Sequence, residues 1–334
     1  MITLCRIAFL ISIFFFMTTE ISKAYGAEIA VIKSQYLPSY QQAFNGFKKV
    51  YAGELRVFDL KGDPQESEKV VIKLRKDPPD LILAIGLLAA RVAEENFHDI
   101  PIVYCMVFDP SRFGLYRKNI TGVALDVSPS EMFPRLKELF PNARRIGVLF
   151  DPEKTRRTVD LAIKAAQDWG ISLIPEEVHS AKDLPDAARI LLGKIDLLWL
   201  IPDSTVVTPE SLNFIFLTSL ENNLPVVAFS EDLVRAGAVM SLSPDPWTVG
   251  EQAGRLVQKV IEGKIPINIP HSHAEKIKVS FNMSIAKKIG LRINREALNI
   301  PRGDLIELIS PEKDVKLNPK AIKPGKKLHE EGLP

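Results

Sequence analysis

Three aspartates stand close behind apolar runs: Asp109 after Ile102–Met106, Asp151 after Arg145–Phe150, and Asp203 after Asp196–Ile201. A carboxylate so placed can serve as an acid or base, or can meet the amine of a small molecule. Asp203 also heads a pair of hydroxyls, Ser204 and Thr205. A plainer role competes, because Asp beside Pro opens turns, as in Asp109-Pro110, Asp151-Pro152 and Pro202-Asp203. Enzyme signatures are missing: there is no G-x-G-x-x-G behind the first apolar run, no G-x-x-x-x-G-K-[ST] and no G-x-S-x-G. With no nucleophile–base constellation, catalysis is not expected. His271 and His273 follow Pro270 with no third ligand in view, so a loop is expected rather than a metal site, and no cofactor is implied. Cys105 lies inside Ile102–Val107 and reads as a small buried hydrophobe.

The elements that must position these residues alternate regularly. Apolar strands are expected at Ile29–Lys33, Leu55–Asp59, Asp80–Ala84 and Ile102–Met106, then at Arg145–Phe150, Ser172–Pro175, Asp196–Ile201, Val226–Ser230 and Ala238–Leu242. Between them, Tyr40–Tyr51, Ser67–Lys76, Thr155–Trp169 and Ser211–Asn222 carry apolar residues at three- and four-residue spacing, the period of helices. Buried strands alternating with helices predict an α/β fold of parallel sheets covered on both faces.

The two sets of strands also resemble each other. "IAVIK" at Ile29 returns as "IGVLF" at Ile146, an offset of 117, and "DLILAIG" at Asp80 returns as "DLLWLIP" at Asp196, an offset of 116. Two tandem, doubly wound lobes are therefore expected. Ligands of such sheets bind beyond the carboxyl ends of the strands. That rule gathers a candidate ligand set: Gln35 and Tyr36 behind the first strand, Gly86 and Leu87 behind the third, and Phe108 and Asp109 behind the fourth. Asp151, Asp203, Ser204, Thr205, Ser230 and Glu231 complete it in the second half. Asp203 and Thr205 are expected to touch the ligand, so their truncation should weaken binding and spare the fold. Tyr36 and Phe108 would cover an apolar part; Trp247 lies near a strand end, and Trp199 reads as core.

Composition narrows the partners. Among 334 residues, Lys and Arg number 43 against 41 for Asp and Glu, which leaves no basic field for nucleic acid or an anionic membrane. Arg6, the apolar Ile7–Met17 and the small-residue site Ala24-Tyr25-Gly26 before Ala27 have the layout of a cleavable export signal. A run of eleven residues falls short of the roughly 20 that span a bilayer. Cys5 precedes that run and is misplaced for a lipid-modified cleavage site. Residues 1–26 are thus expected to be removed, with the mature chain free in a periplasm. The tail from Pro311 to Pro334, with six lysines and four prolines, is expected to be flexible.

Seven segments then add a resemblance: "PDLILAIGLLAA", "IPIVYCMVFDP", "NITGVALDVSP", "PNARRIGVLFDP", "IDLLWLIPDSTVVTPES", "NNLPVVAFSEDLVRAGAV" and "GEQAGRLVQKVIEGKIP". Over about Ala27–Ile300 the chain resembles substrate-binding proteins of ABC-type importers, in the branch with tryptophan- and tyrosine-type amino-acid binders. The resemblance implies a two-lobed clamshell of the periplasmic-binding-protein type I kind, with a small amphipathic ligand between the lobes and a membrane permease as partner. It further implies a monomer whose lobe 1 is 27–124 plus 243–272 and whose lobe 2 is 125–242 plus 273–310, with crossings near Thr121–Leu125, Ser243–Asp245 and His271–Lys276. Members often carry Thr-Pro or a similar pair after the glycine corresponding to Gly86. Here Leu87-Leu88 stands instead, which removes a hydroxyl, leaves backbone amides to bind an anion, and suits a more apolar or larger ligand. Two other readings remain: an exported sensor for a membrane kinase, and a periplasmic α/β enzyme using Asp109, Asp151 or Asp203.

Overall fold

The structure, a computed structural model, describes residues 27–291 and the strand at 305–308. The expected export signal at 1–26 and tail at 311–334 lie outside the described residues, as do 292–304 and 309–310. The described chain divides into two compact units, 27–124 with 250–272, and 125–249 with 273–291 and 305–308.

In the first unit the strands are β1 (Ile29–Lys33), β2 (Leu55–Asp59), β3 (Leu81–Ile85), β4 (Ile102–Val107) and β5 (Ile120–Ala124). They form one sheet of order β2-β1-β3-β4-β5, parallel throughout. β3 and β4 are buried along their whole length, as the unbroken apolar runs LILAI and IVYCMV require. Helices α1 (Pro38–Val50), α2 (Pro64–Lys76) and α3 (Leu87–Asn96) connect the strands.

The second unit repeats the plan. Its strands are β6 (Arg145–Phe150), β7 (Ser172–Glu177), β8 (Leu197–Trp199), β9 (Val226–Ala228), β10 (Met240–Pro244), β11 (Ile277–Asn282) and β12 (Leu305–Leu308). The sheet order is β12-β11-β10-β9-β8-β6-β7, so β7-β6-β8-β9-β10 follows the same winding as β2-β1-β3-β4-β5. β11 runs antiparallel to β10, which makes this sheet mixed rather than wholly parallel. Its helices are α4 (Pro129–Leu139), α5 (Pro152–Gln167), α6 (Leu184–Leu191), α7 (Pro209–Glu221) and α8 (Glu231–Ala236). The helix α9 (Pro246–Ile261) carries the chain from this unit back into the first, and α10 (Met283–Lys288) follows β11.

The duplication extends to single hydrogen bonds. Asp80 Oδ2 accepts from the amide of Glu28 at 2.8 Å, and Asp196 Oδ2 accepts from the amide of Arg145 at 2.8 Å. Each aspartate ties the entrance of the first strand of its unit to the entrance of the third.

Several helices begin earlier than periodicity suggests: α1 at Pro38, α2 at Pro64, α5 at Pro152 and α7 at Pro209. Proline suits the first turn because its fixed φ is helical and its missing N–H would have no partner there. Asp63, Asp151 and Thr208 cap three of them, each accepting from a first-turn amide. The expected crossing at Ser243–Asp245 is corrected. Ser243 and Pro244 extend β10 against Lys278 and Ile277, and Asp245 accepts from the Thr248 hydroxyl at 2.7 Å, so the change of unit falls at Gly250.

Candidate functional site

In the first unit β1, β3 and β4 are parallel neighbours, so their carboxyl ends share one edge of the sheet. The winding reverses between β1 and β3, the place where doubly wound sheets open a crevice. Gly86 stands there with φ of 92°, a left-handed region that favours glycine. A Cβ on Gly86 would lie 2.6 Å from Ser34 Oγ and 2.7 Å from the ring of Tyr40. Gly86 has no side chain with which to cap α3. Ser34, buried, supplies the cap from across the edge by accepting from the Ala89 amide at 2.9 Å.

Two amides remain at this helix start. Ala89 and Ala90 are spent on Ser34 and on the Gly86 carbonyl, while the N–H groups of Leu87 and Leu88 have no acceptor among the described residues. The Tyr40 hydroxyl likewise lacks a partner among the described residues, and burial together with nearby Cys105 pushes its pKa up to about 12. Tyr40 therefore stays protonated and able to donate. A helix start rich in unspent donors, with its macrodipole behind it, suits a negatively charged group.

The other expected residues of this unit surround the same edge. Gln35 follows Ser34 with its Oε1 near Gly62, Tyr36 is 71% exposed, and Leu87 is half-buried. At the end of β4 the register shifts between Cys105 and Val107, with Met106 at φ of 61° and Asp109 at φ of 39°. Two strained non-glycine residues within four positions fix how half-buried Phe108 leaves the strand. Asp109 accepts from the Ser111 hydroxyl and opens the short 3-10 helix Pro110–Phe113. Cys105 is fully buried, and burial pushes its thiol up to about 12, far from a reactive thiolate.

In the second unit the equivalent reversal lies between β6 and β8, and the structure brings Asp151, Asp203 and Thr205 together there. Asp203 is 1% exposed. Its Oδ2 accepts from the Asp151 amide at 2.9 Å and the Thr155 hydroxyl at 2.5 Å. Its Oδ1 accepts from the amides of Thr205 at 2.9 Å and Val206 at 3.3 Å. The four partners come from the loops after β6 and β8 and from the first turn of α5, so this carboxylate is used up inside the fold. Asp203, expected to reach a ligand, organises the loop through these four hydrogen bonds.

Asp151 is turned inward as well. Its Oδ1 caps α5 through the Glu153 amide at 2.9 Å, and its Oδ2 accepts from the Thr205 hydroxyl at 2.6 Å. Burial works against its charge, but the Thr205 and Glu153 hydrogen bonds and the charges of Lys154 and His179 outweigh it and hold its pKa below the carboxylate norm. The Thr205 hydroxyl, which donates to Asp151, accepts from Lys154 Nζ at 2.8 Å. Asp151 and Thr205 are both buried, and these hydrogen bonds hold their side chains within the loop. Ser204 is exposed beside them. Ser230 caps α8 through the Leu233 amide at 3.4 Å, and Glu231 pairs with Arg235, so both are committed locally.

Sequence reasoning did not single out Ser34, Tyr40 or Lys154. The first stands directly behind β1, and the other two lie in the first turns of α1 and α5, positions that the carboxyl-edge rule already favours. The two histidines part company. His271 Nδ1 lies 2.7 Å from the Tyr104 hydroxyl in the first unit, where burial lowers its pKa. His273 pairs with Asp126 at 3.2 Å in the second unit, and that hydrogen bond raises its pKa.

The family profile described as ABC transporter substrate binding protein matches residues 44–303. A tyrosine-binding protein of Clostridioides difficile is 26% identical over 242 residues, 70% of each chain. Among solved structures, a ligand-free, open substrate-binding protein with adhesive properties from Clostridium difficile is 21% identical, covering 85% of this chain and 100% of that one, with a TM-score of 0.69. A tryptophan-bound domain from Streptococcus pneumonia is 20% identical over the same shares, with a TM-score of 0.61. These relatives are substrate-binding proteins and not enzymes, and proteins of this family work outside the cytoplasm. The chain belongs to the ABC transporter substrate-binding protein family.

Proposed function

We propose that this protein is the extracytoplasmic solute-binding component of an ABC-type importer and hands an amino acid or close relative, with an aromatic side chain, to a membrane permease. The observation that carries the reading is the cluster of unspent donors at the β1/β3 reversal: the Leu87 and Leu88 amides and the Tyr40 hydroxyl beside Gly86. A ligand carboxylate would take them, while Tyr36 and Phe108 cover an apolar ring. The names of the tyrosine-binding and tryptophan-bound relatives support that ligand class.

A thermal-shift screen of amino acids, nucleobases and small carboxylates, followed by calorimetry, tests the reading. A true ligand at a hundredfold excess over its Kd should stabilise the protein by about 2.7 kcal/mol. Gly86→Ala should abolish binding of that ligand, because the methyl would collide with Ser34 and Tyr40 and change the course of the chain into α3. Failure of every amino acid to shift the transition would overturn the ligand class. Binding by Gly86→Ala with unchanged affinity would remove the α3 start from the site.

Export is the second part of the proposal. Residues 1–26 would direct the chain across the inner membrane and be removed, leaving a mature protein that begins at or near Ala27. N-terminal sequencing of protein released by osmotic shock should find that start; an intact Met1 would count against it.

A further inference from the structure

We infer that Ser34 is a further contact of the solute carboxylate in the first unit, giving its buried hydroxyl proton to the group that the Leu87 and Leu88 amides hold. This rests on the solute-binding reading above and adds the residue that separates a charged acid from its neutral amide. Ser34 stands directly behind β1 and is 5% exposed. Its backbone is anchored on both sides: its amide donates to the Ile85 carbonyl at 3.0 Å, and its carbonyl accepts from the Gly62 amide at 2.8 Å. The hydroxyl is thereby held in place, where it accepts from the Ala89 amide at 2.9 Å.

A hydroxyl carries one proton and two lone pairs. Ala89 takes one lone pair of Ser34, and the proton has no acceptor among the described residues. A buried donor in that state is costly unless a bound group supplies the acceptor. The position of Ser34 selects that group. The N–H groups of a helix's first turn point the same way, into the volume ahead of the helix. Ser34 Oγ already stands at that volume, within hydrogen-bond distance of Ala89, so an oxygen accepting from Leu87 or Leu88 would lie beside it. Ser34 Oγ and the Tyr40 ring also converge on Gly86, at 2.6 and 2.7 Å from where its Cβ would be, so the absence of a side chain there keeps the place open. The Ser34 and Tyr40 hydroxyls and the Leu87 and Leu88 amides are thus unspent donors gathered within one unit. A carboxylate has acceptors only and can take them all without presenting a donor of its own. A carboxamide replaces one oxygen by NH2, which at best makes a neutral, weaker hydrogen bond to a hydroxyl lone pair.

The test changes both protein and ligand. Calorimetry would compare L-tyrosine and L-tryptophan with their carboxamides on the parent, Ser34→Ala and Ser34→Thr proteins, with melting temperatures recorded alongside. Hydrogen bonds to a charged group are about twice as strong as neutral ones. Ser34→Ala should therefore weaken binding of the acids about 10- to 100-fold and of the carboxamides less than about 10-fold. Ser34→Thr, which keeps a hydroxyl, should recover part of the loss. Ser34→Cys, close in size but a poor donor, should show the same acid-selective loss and carries the comparison if Ser34→Ala does not fold. Equal losses for acid and carboxamide would show that Ser34 only caps α3, and would overturn the inference. Unchanged affinity of Ser34→Ala for the acids would do the same while leaving the solute-binding reading intact. If the parent binds neither the acids nor the carboxamides, the proposed ligand class and this inference fall together.

Discussion

Gly250→Ala should unfold the first unit far more readily than a methyl group in a helix ordinarily would. Gly250 sits early in α9, and a Cβ built on it lies 1.8 Å from the Ala43 carbonyl oxygen and 2.6 Å from the Ala43 carbonyl carbon. Both are backbone atoms of α1, so no side chain can swing aside. One turn later, a Cβ on Gly254 would lie 2.9 Å from Val50 Cβ. Two glycines four apart thus form a flat stripe that lets α9 lie directly against α1. At an exposed helical site, replacing Gly by Ala is worth a gain of up to about 1 kcal/mol. Here the helices must separate instead, and overpacking costs about 1–3 kcal/mol or more. We expect a net loss of about 3 kcal/mol for Gly250→Ala and a smaller one for Gly254→Ala. Denaturant unfolding of the three proteins measures the order. A Gly250→Ala protein as stable as its parent would mean that the two helices do not meet at this distance.

The second large effect belongs to Asp203. Replacing it by Ala strands the amides of Asp151, Thr205 and Val206 and the hydroxyl of Thr155 in a region closed to water. A buried donor left without a partner costs about 1–3 kcal/mol, and removing the charged member of a buried network costs about 3–5 kcal/mol. We expect Asp203→Ala to lose about 4 kcal/mol and Asp203→Asn about half of that, since the amide keeps one acceptor. Ser204→Ala, one residue on and exposed, should stay within about 0.5 kcal/mol of the parent. Hydrogen exchange at the amides of Asp151 and Thr205 would localise the damage to the β6 and β8 loops. If Asp203→Ala proves as stable as Ser204→Ala, the carboxylate is not the centre of that network.

These outcomes mark how far the sequence reaches. Unbroken runs such as LILAI and IVYCMV dictate strands buried on both faces. The repeat of Asp80 at Asp196 reports that the plan is used twice, because each aspartate ties two strand entrances in the same way. Alternating apolar runs and helical periods specify parallel winding, and the winding specifies which edge can hold a ligand. The sequence by itself therefore determined the fold class, the tandem units and the family.

Only the tertiary structure decided which side chains at that edge remain available. A carboxylate behind a strand looks the same in sequence whether it faces solvent or four donors. Asp203 faces the donors because Asp151, Thr155, Thr205 and Val206, up to 52 residues away, converge on it. The same convergence holds Lys154 in place, although nothing in its local sequence distinguishes it from any lysine in a first helical turn. Ser34 and Tyr40 owe their roles to the approach of Gly86 from across the sheet. Strand patterns are local and repeat every second residue, so they are legible in one dimension. The filling of hydrogen-bond capacity depends on partners brought together by folding, and one dimension does not record it.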